Sequence, residues 1–240
     1  SWLVREPRLW DCRPMRKLVL LLCLLPSLAF AQTPPSTAEV SAYDGLFKAA
    51  YDGDAASIER LAGGGADLNA RDAHGRTPAL VAAFASQELA FKALVAAGAD
   101  PNAQDEIGYD AVTIAAVADD PEFMSLALSL GNRPNLIHTN WDGTALIAAS
   151  ELGNDEVVRR LIKAGAPLDH INNLGWTALI EAIVLGDGGP RHVATVKALV
   201  EAGADVSITD RNGMTPLQLA KARGAVTLDG AGDLVEGDAV

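Results

Sequence analysis

The sequence predicts an all-α solenoid built from a short repeated unit. Three observations predict it. Glycine-led segments recur at Gly65, Gly98, Gly131, Gly165 and Gly203, at intervals of 33, 33, 34 and 38 residues. A second series, Thr77, Asp110, Thr144, Thr177 and Thr215, keeps the same register at intervals of 33, 34, 33 and 38. The chain is 49% hydrophobic but only 5% aromatic, so its core must come from Ala, Leu, Val and Ile, which suits closely packed helices. A unit of this length cannot bury its own apolar face, and stacked units bury a shared one.

Each element of the unit has a physical reason. Thr77-Pro78 and Thr215-Pro216 read as helix starts: Thr caps free N–H groups and Pro takes the first helical position. Leu80, Ala82 and Ala83 give a short first helix. A second helix follows from Leu89 to Ala97, with Leu89, Phe91, Leu94 and Val95 toward neighbours, and Gly98 supplies a left-handed stop. Asp105 to Gly108 then makes a tight turn into the next unit. The fifth unit carries a five-residue surplus, Gly186-Asp187-Gly188-Gly189-Pro190-Arg191-His192, read as a longer turn between its two helices.

Composition and charge exclude several classes. Apolar content is too high for a disordered chain, and scattered glycines with two cysteines exclude collagen and a disulfide scaffold. The formal net charge is −12, although residues 1–31 are themselves cationic through Arg5, Arg8, Arg13, Arg16 and Lys17. The acidic remainder repels phosphate backbones, so nucleic acid is not an expected partner.

The one long apolar run lies near the start. Met15-Arg16-Lys17, the stretch Leu18 to Leu25, and Ala29-Phe30-Ala31 follow the order of a secretory signal peptide, with cleavage expected after Ala31 and no stable membrane anchor afterwards. Residues 1–14 read as an over-extended start, 15–31 as the signal peptide and 32–42 as a linker. Both cysteines, Cys12 and Cys23, precede the expected cleavage point. Export to the periplasm or beyond is the expectation.

The motifs Asp72-Ala73-His74-Gly75-Arg76-Thr77-Pro78-Ala79-Leu80-Val81-Ala82, Gly175-Trp176-Thr177-Ala178-Leu179 and Asp210-Arg211-Asn212-Gly213-Met214-Thr215-Pro216-Leu217, with Gly-Ala-Asp-Leu-Asn from Gly65, resemble the ankyrin repeat family. The resemblance spans about residues 43–223 and implies five units plus a partial C-terminal unit, with an irregular tail over 224–240. The family histidine after Leu is replaced by Leu80, Thr113, Ile147, Ile180 and Gln218. Unit three has Asp110-Ala111 for Thr-Pro and ends irregularly at Gly131-Asn132-Arg133-Pro134-Asn135, where a distorted turn is expected.

The resemblance implies a concave groove lined by turn tips and first helices, and binding of another protein there. The residues between turn glycine and Thr, Arg76, Tyr109, Trp176 and Met214, are the candidate contact stripe. Glu181 continues it with Val81, Ile114, Ala148 and Leu219, and Trp141 stands at a turn tip. Aromatic, Met and Arg side chains carry most interface energy; the competing reading is that Trp176 and Tyr109 pack over the helix starts. Arg191 and His192 in the insert are candidates too, against a structural role. Asp72, Asp105, Glu106, Asp142 and Asp210 either steer a basic partner or close turns.

Chemistry finds little support. His138 and His170 each lie five residues before a glycine, yet fall one residue out of step when aligned on Thr144 and Thr177. No metal ligand set, cofactor site or catalytic group is assigned. The glycine-rich insert follows no strand and lacks the Lys-Ser or Lys-Thr of a phosphate loop. The expected role is non-catalytic: a monomer that stabilises another exported protein, such as a stress-response enzyme, or that inhibits a toxin.

Overall fold

The computed structural model describes residues 32–138 and 141–223, together with the backbone of 227–228 and 234–235. The expected over-extended start and signal peptide lie outside the described residues. Helix α1 (Thr37–Ala42) comes first. Five helix pairs follow: α2 (Gly45–Asp52) with α3 (Ala55–Gly63), α4 (Pro78–Phe84) with α5 (Glu88–Ala97), α6 (Ala111–Ala118) with α7 (Pro121–Ser129), α8 (Ala145–Leu152) with α9 (Asp155–Lys163), and α10 (Ala178–Val184) with α11 (Pro190–Glu201). Helix α12 (Pro216–Arg223) begins a sixth unit. First helices pack on first helices along the series, and second on second, so the stack has two helical layers. This is the all-α solenoid of five units and a part that the period predicts.

The landmark residues do what their chemistry dictates. Thr77, Thr144 and Thr177 accept the backbone N–H three residues on, each at 3.3 Å, and Thr215 accepts that of Gln218. Asp110 performs the same cap for Thr113 at 2.8 Å. Gly65, Gly98, Gly131, Gly165 and Gly203 all have left-handed backbone, φ lying between 82° and 110°. Only glycine adopts that freely, which is why the series is so regular.

Apolar side chains fill the two layers. Leu80, Ile114, Leu146, Ile147, Leu179 and Ile180 of the first helices are buried, as are Phe91, Leu94, Phe123, Met124 and Leu161 of the second. Each such side chain contributes about 1.5–3 kcal/mol by leaving water. Phe91 meets Phe123 edge-on at 5.1 Å between units two and three. Leu80, Ile147 and Ile180 stand where the expected histidine is missing, and all three are buried in this core.

Four local readings are refined. Residues 32–42 were expected to be a linker, but Thr37–Ala42 is helical because Ser36 and Glu39 form a reciprocal capping box. The fifth-unit surplus lengthens not only the turn but also α11, which runs 12 residues, against nine or ten in α3, α5, α7 and α9. In unit four Asp142 takes the left-handed place, φ 53°, that Gly75, Gly108, Gly175 and Gly213 hold elsewhere. A short antiparallel pair flanks it, β1 (Ile137–His138) with β2 (Gly143–Thr144). Within the tail expected to be irregular, β3 (Thr227–Leu228) pairs antiparallel with β4 (Leu234–Val235).

Candidate partner-binding face

The turns stand side by side along one edge of the stack. Four of them are closed by the residue five before the cap. Asp72 accepts from the N–H groups of His74 and Arg76, Asp105 from Ile107 and Tyr109, Asn172 from Leu174 and Trp176, and Asp210 from Asn212 and Met214. The turn-closing reading therefore wins for Asp72, Asp105 and Asp210. Neighbouring turns also bond to each other: Glu106 N–H donates to His74 O at 3.1 Å and Asn173 N–H to Trp141 O at 2.8 Å. The edge is thus a rigid row rather than a set of loose loops.

Three of the eight candidate residues are not on an open rim. Arg76 is 0% exposed. Its guanidinium donates to Asp72, to the Thr33 carbonyl and to Glu39. A buried guanidinium needs such partners on every side, and the chain supplies two of them from 43 and 37 residues upstream. Tyr109, 3% exposed, stacks on His138 with ring centroids 5.4 Å apart. Glu181, 2% exposed, accepts from Asn172 Nδ2 at 2.6 Å. The packing reading holds for Tyr109, and burial pushes its hydroxyl pKa up.

Burial also raises two neighbouring carboxyls. The Glu181 carboxyl moves up to about 8, by desolvation first and then the charge of Glu151, and Glu151 moves up to about 7 by desolvation. Paired perturbed acids are what an active site needs. Here, however, Oε2 of each and the Tyr109 hydroxyl are buried from solvent and lack a hydrogen-bond partner among the described residues. Burial, then the charge of His170, lowers His138 to about 4.

The histidine pair stays out of step. His170 Nε2 faces the Asp142 carbonyl at 2.5 Å, while His138 lies against Tyr109. Among the described residues no three His, Cys, Asp or Glu side chains form a metal-holding group.

The insert folds back on its own stack. Arg191 Nη2 donates to both carboxylate oxygens of Asp119, at 2.9 and 2.7 Å, and its Nε to Asp155 at 3.3 Å. His192 meets Asp187 through Nδ1 and the Glu151 carbonyl through Nε2, at 2.8 and 2.9 Å. At Gly186 an added Cβ would lie 2.2 Å from the Ala182 carbonyl, so only glycine turns the chain there. The structural reading of Arg191 and His192 is the one these contacts support.

Three of the candidates on the turns are apolar or aromatic and partly accessible. Trp141, Trp176 and Met214 are half-buried on three successive turns. Ile137 and Ile171, shortly before Trp141 and Trp176 in the chain, are exposed, 43% and 47%. Leu152 and Leu185 are exposed at the ends of α8 and α10. These four aliphatics escaped the sequence reading. A signal existed for two: Leu152 and Leu185 both lie eight residues after the capping Thr, where units two and three have Ala85 and Ala118.

Comparisons with known proteins agree with this architecture. The family model for ankyrin repeats (3 copies) matches residues 112–210, and the single ankyrin repeat model matches residues 74–106. The ankyrin repeat protein YahD of Escherichia coli (strain K12) is 36% identical over 177 residues, 73% of this chain and 88% of the relative. The crystal structure of an ankyrin repeat domain from Acinetobacter baumannii AYE superposes with a TM-score of 0.71 at 39% identity, covering 75% of this chain and 91% of that one. That of the ankyrin repeat protein EF0377 gives 0.69 at 31% identity, covering 76% and 94%.

Proposed function

The chain belongs to the ankyrin repeat family, and from that premise we propose that it is a non-catalytic scaffold that grips one protein along the turn edge of units four to six. The observation that carries this reading is the row of Trp141, Trp176 and Met214 with exposed Ile137 and Ile171. Large apolar side chains left accessible on a rigid framework mark an interface, and a central aromatic anchor contributes about 2 kcal/mol or more to binding. Because the turns are bonded to one another, little ordering entropy opposes capture.

The client in this reading is another exported protein. The sequence Met15 to Ala31 and the absence of cysteine from 32–240 support an oxidising compartment. Capture of a partner from a periplasmic extract, followed by calorimetry on the purified pair, tests the proposal. Trp176→Ala and Trp141→Ala should each weaken binding at least about tenfold while helical content is unchanged. Unchanged affinity in both would overturn the turn-edge reading.

A further inference from the structure

The inner side of the first three units already carries a length of the chain's own backbone. Gln32 Nε2 donates to the Ile114 carbonyl on α6 at 3.1 Å. The Thr33 carbonyl accepts from Arg76 Nη1 at 2.8 Å, and the Glu39 carboxylate pairs with Arg76 Nη2. Glu39 Oε1 also lies 3.4 Å from His74 Nε2. Tyr43 closes the run by donating to Asp72 at 2.8 Å. Between these points Thr33-Pro34-Pro35 lies in neither helix nor strand, and the two prolines have no N–H with which to add a ladder of backbone bonds.

The segment is therefore held at a few charged and polar points rather than by a buried apolar seam. We infer that Gln32–Glu39 is an internal pseudo-ligand: a strap that occupies the Arg76 socket and that an extended polypeptide segment presenting a carboxylate displaces. The chemistry of the occupant defines that of its competitor. The socket takes one carbonyl and one carboxylate on the two terminal nitrogens of a guanidinium whose Nε is held by Asp72, the fork geometry that favours acidic partners. The inference rests on the scaffold reading above and extends it to the inner face of the first units.

The test uses the full chain and a fluorescein-labelled synthetic peptide spanning Gln32–Tyr43. In Glu39→Ala, amide exchange over Thr37–Ala42 should quicken about tenfold or more, the effect of losing the charge-assisted hydrogen bonds to Arg76 and to the Ser36 N–H. The labelled peptide should then bind this variant at least about tenfold tighter than wild type, and a peptide with its own Glu39→Ala should not bind. Glu39→Gln retains an acceptor and should lie between wild type and Glu39→Ala. Unchanged exchange shows that Glu39 is no fastening, and faster exchange without peptide binding shows that the socket receives no ligand; either result overturns the inference. If Glu39→Ala unfolds the stack, Ser36→Ala loosens the capping box without touching Arg76 and carries both readouts. Failure to capture any client would sink the scaffold reading while leaving the peptide measurement standing.

Discussion

Asn132 Nδ2 donates to the Asp110 carboxylate at 2.8 Å, and Asn132 Oδ1 accepts the Val112 N–H at 3.0 Å. These residues are the two departures of unit three from the repeat pattern. Asp replaces the capping Thr, and Asn follows the stop glycine. Across 22 residues they form one interaction, because a buried carboxyl needs more donors than a buried hydroxyl does. Asp110 is almost wholly buried, and that burial raises its pKa against the hydrogen bonds that lower it.

Asn132→Leu should therefore destabilise the fold by about 1–3 kcal/mol, the cost of stranding a buried polar group. Asp110→Thr, which restores the common cap, should recover part of that loss when the two are combined. Urea midpoints of the single and double variants measure the coupling.

Stability should fall as pH rises toward 8. Glu151 and Glu181 have folded pKa values raised to about 7 and about 8 from 4.5. Between the unfolded and folded values the native state holds more protons than the unfolded one, so ΔG of unfolding declines with pH. The contribution is complete below about 4.5 and gone above about 8. Glu181→Gln keeps an acceptor for Asn172 and should flatten the decline by about 1–3 kcal/mol. Urea titrations at pH 5 and pH 8 read the difference, and a variant as steep as wild type would refute the assignment.

Tyr109→Phe should be neutral or slightly stabilising, because the hydroxyl it removes is buried and unpartnered. Tyr109→Ala should cost about 3–5 kcal/mol by opening a cavity beside His138. Thermal melts separate the two, and a large loss in the phenylalanine variant would show that the hydroxyl has a role.

Arg191→Ala should lower stability by at most about 1 kcal/mol, since its ion pairs are half exposed and screened by salt. It should leave client affinity unchanged, because Asp119 and Asp155 already occupy its donors. Calorimetry with the purified client checks the second half.

The parts of this architecture that depend on local chemistry were legible in the sequence. Caps at Thr77, Thr144 and Thr177 and stops at Gly98 and Gly165 recur because each solves a backbone problem within a few residues. Contacts across long separations were not legible. Nothing beside Arg76 in the sequence announces Glu39 or Thr33, so a guanidinium sealed in a salt bridge read as an open one. Trp176 and Met214 occupy the same register as Arg76 and Tyr109 yet remain half-accessible, and register alone does not distinguish them. In unit four, Asp142 takes the left-handed place and Gly143 packs on His138, which is why glycine counting misaligned the two histidines by one residue.

The backward reach of Arg191 adds a second-neighbour link to the way the stack comes apart. In a linear array each brick normally touches only the next, so loss can creep inward from an end one brick at a time. The Arg191 guanidinium, rooted in the fifth brick, grips Asp155 in the fourth and Asp119 in the third. Peeling from the α12 end meets a cross-tie there of at most about 1 kcal/mol, so bricks three to five should part slightly more cooperatively than nearest-neighbour contacts alone would make them.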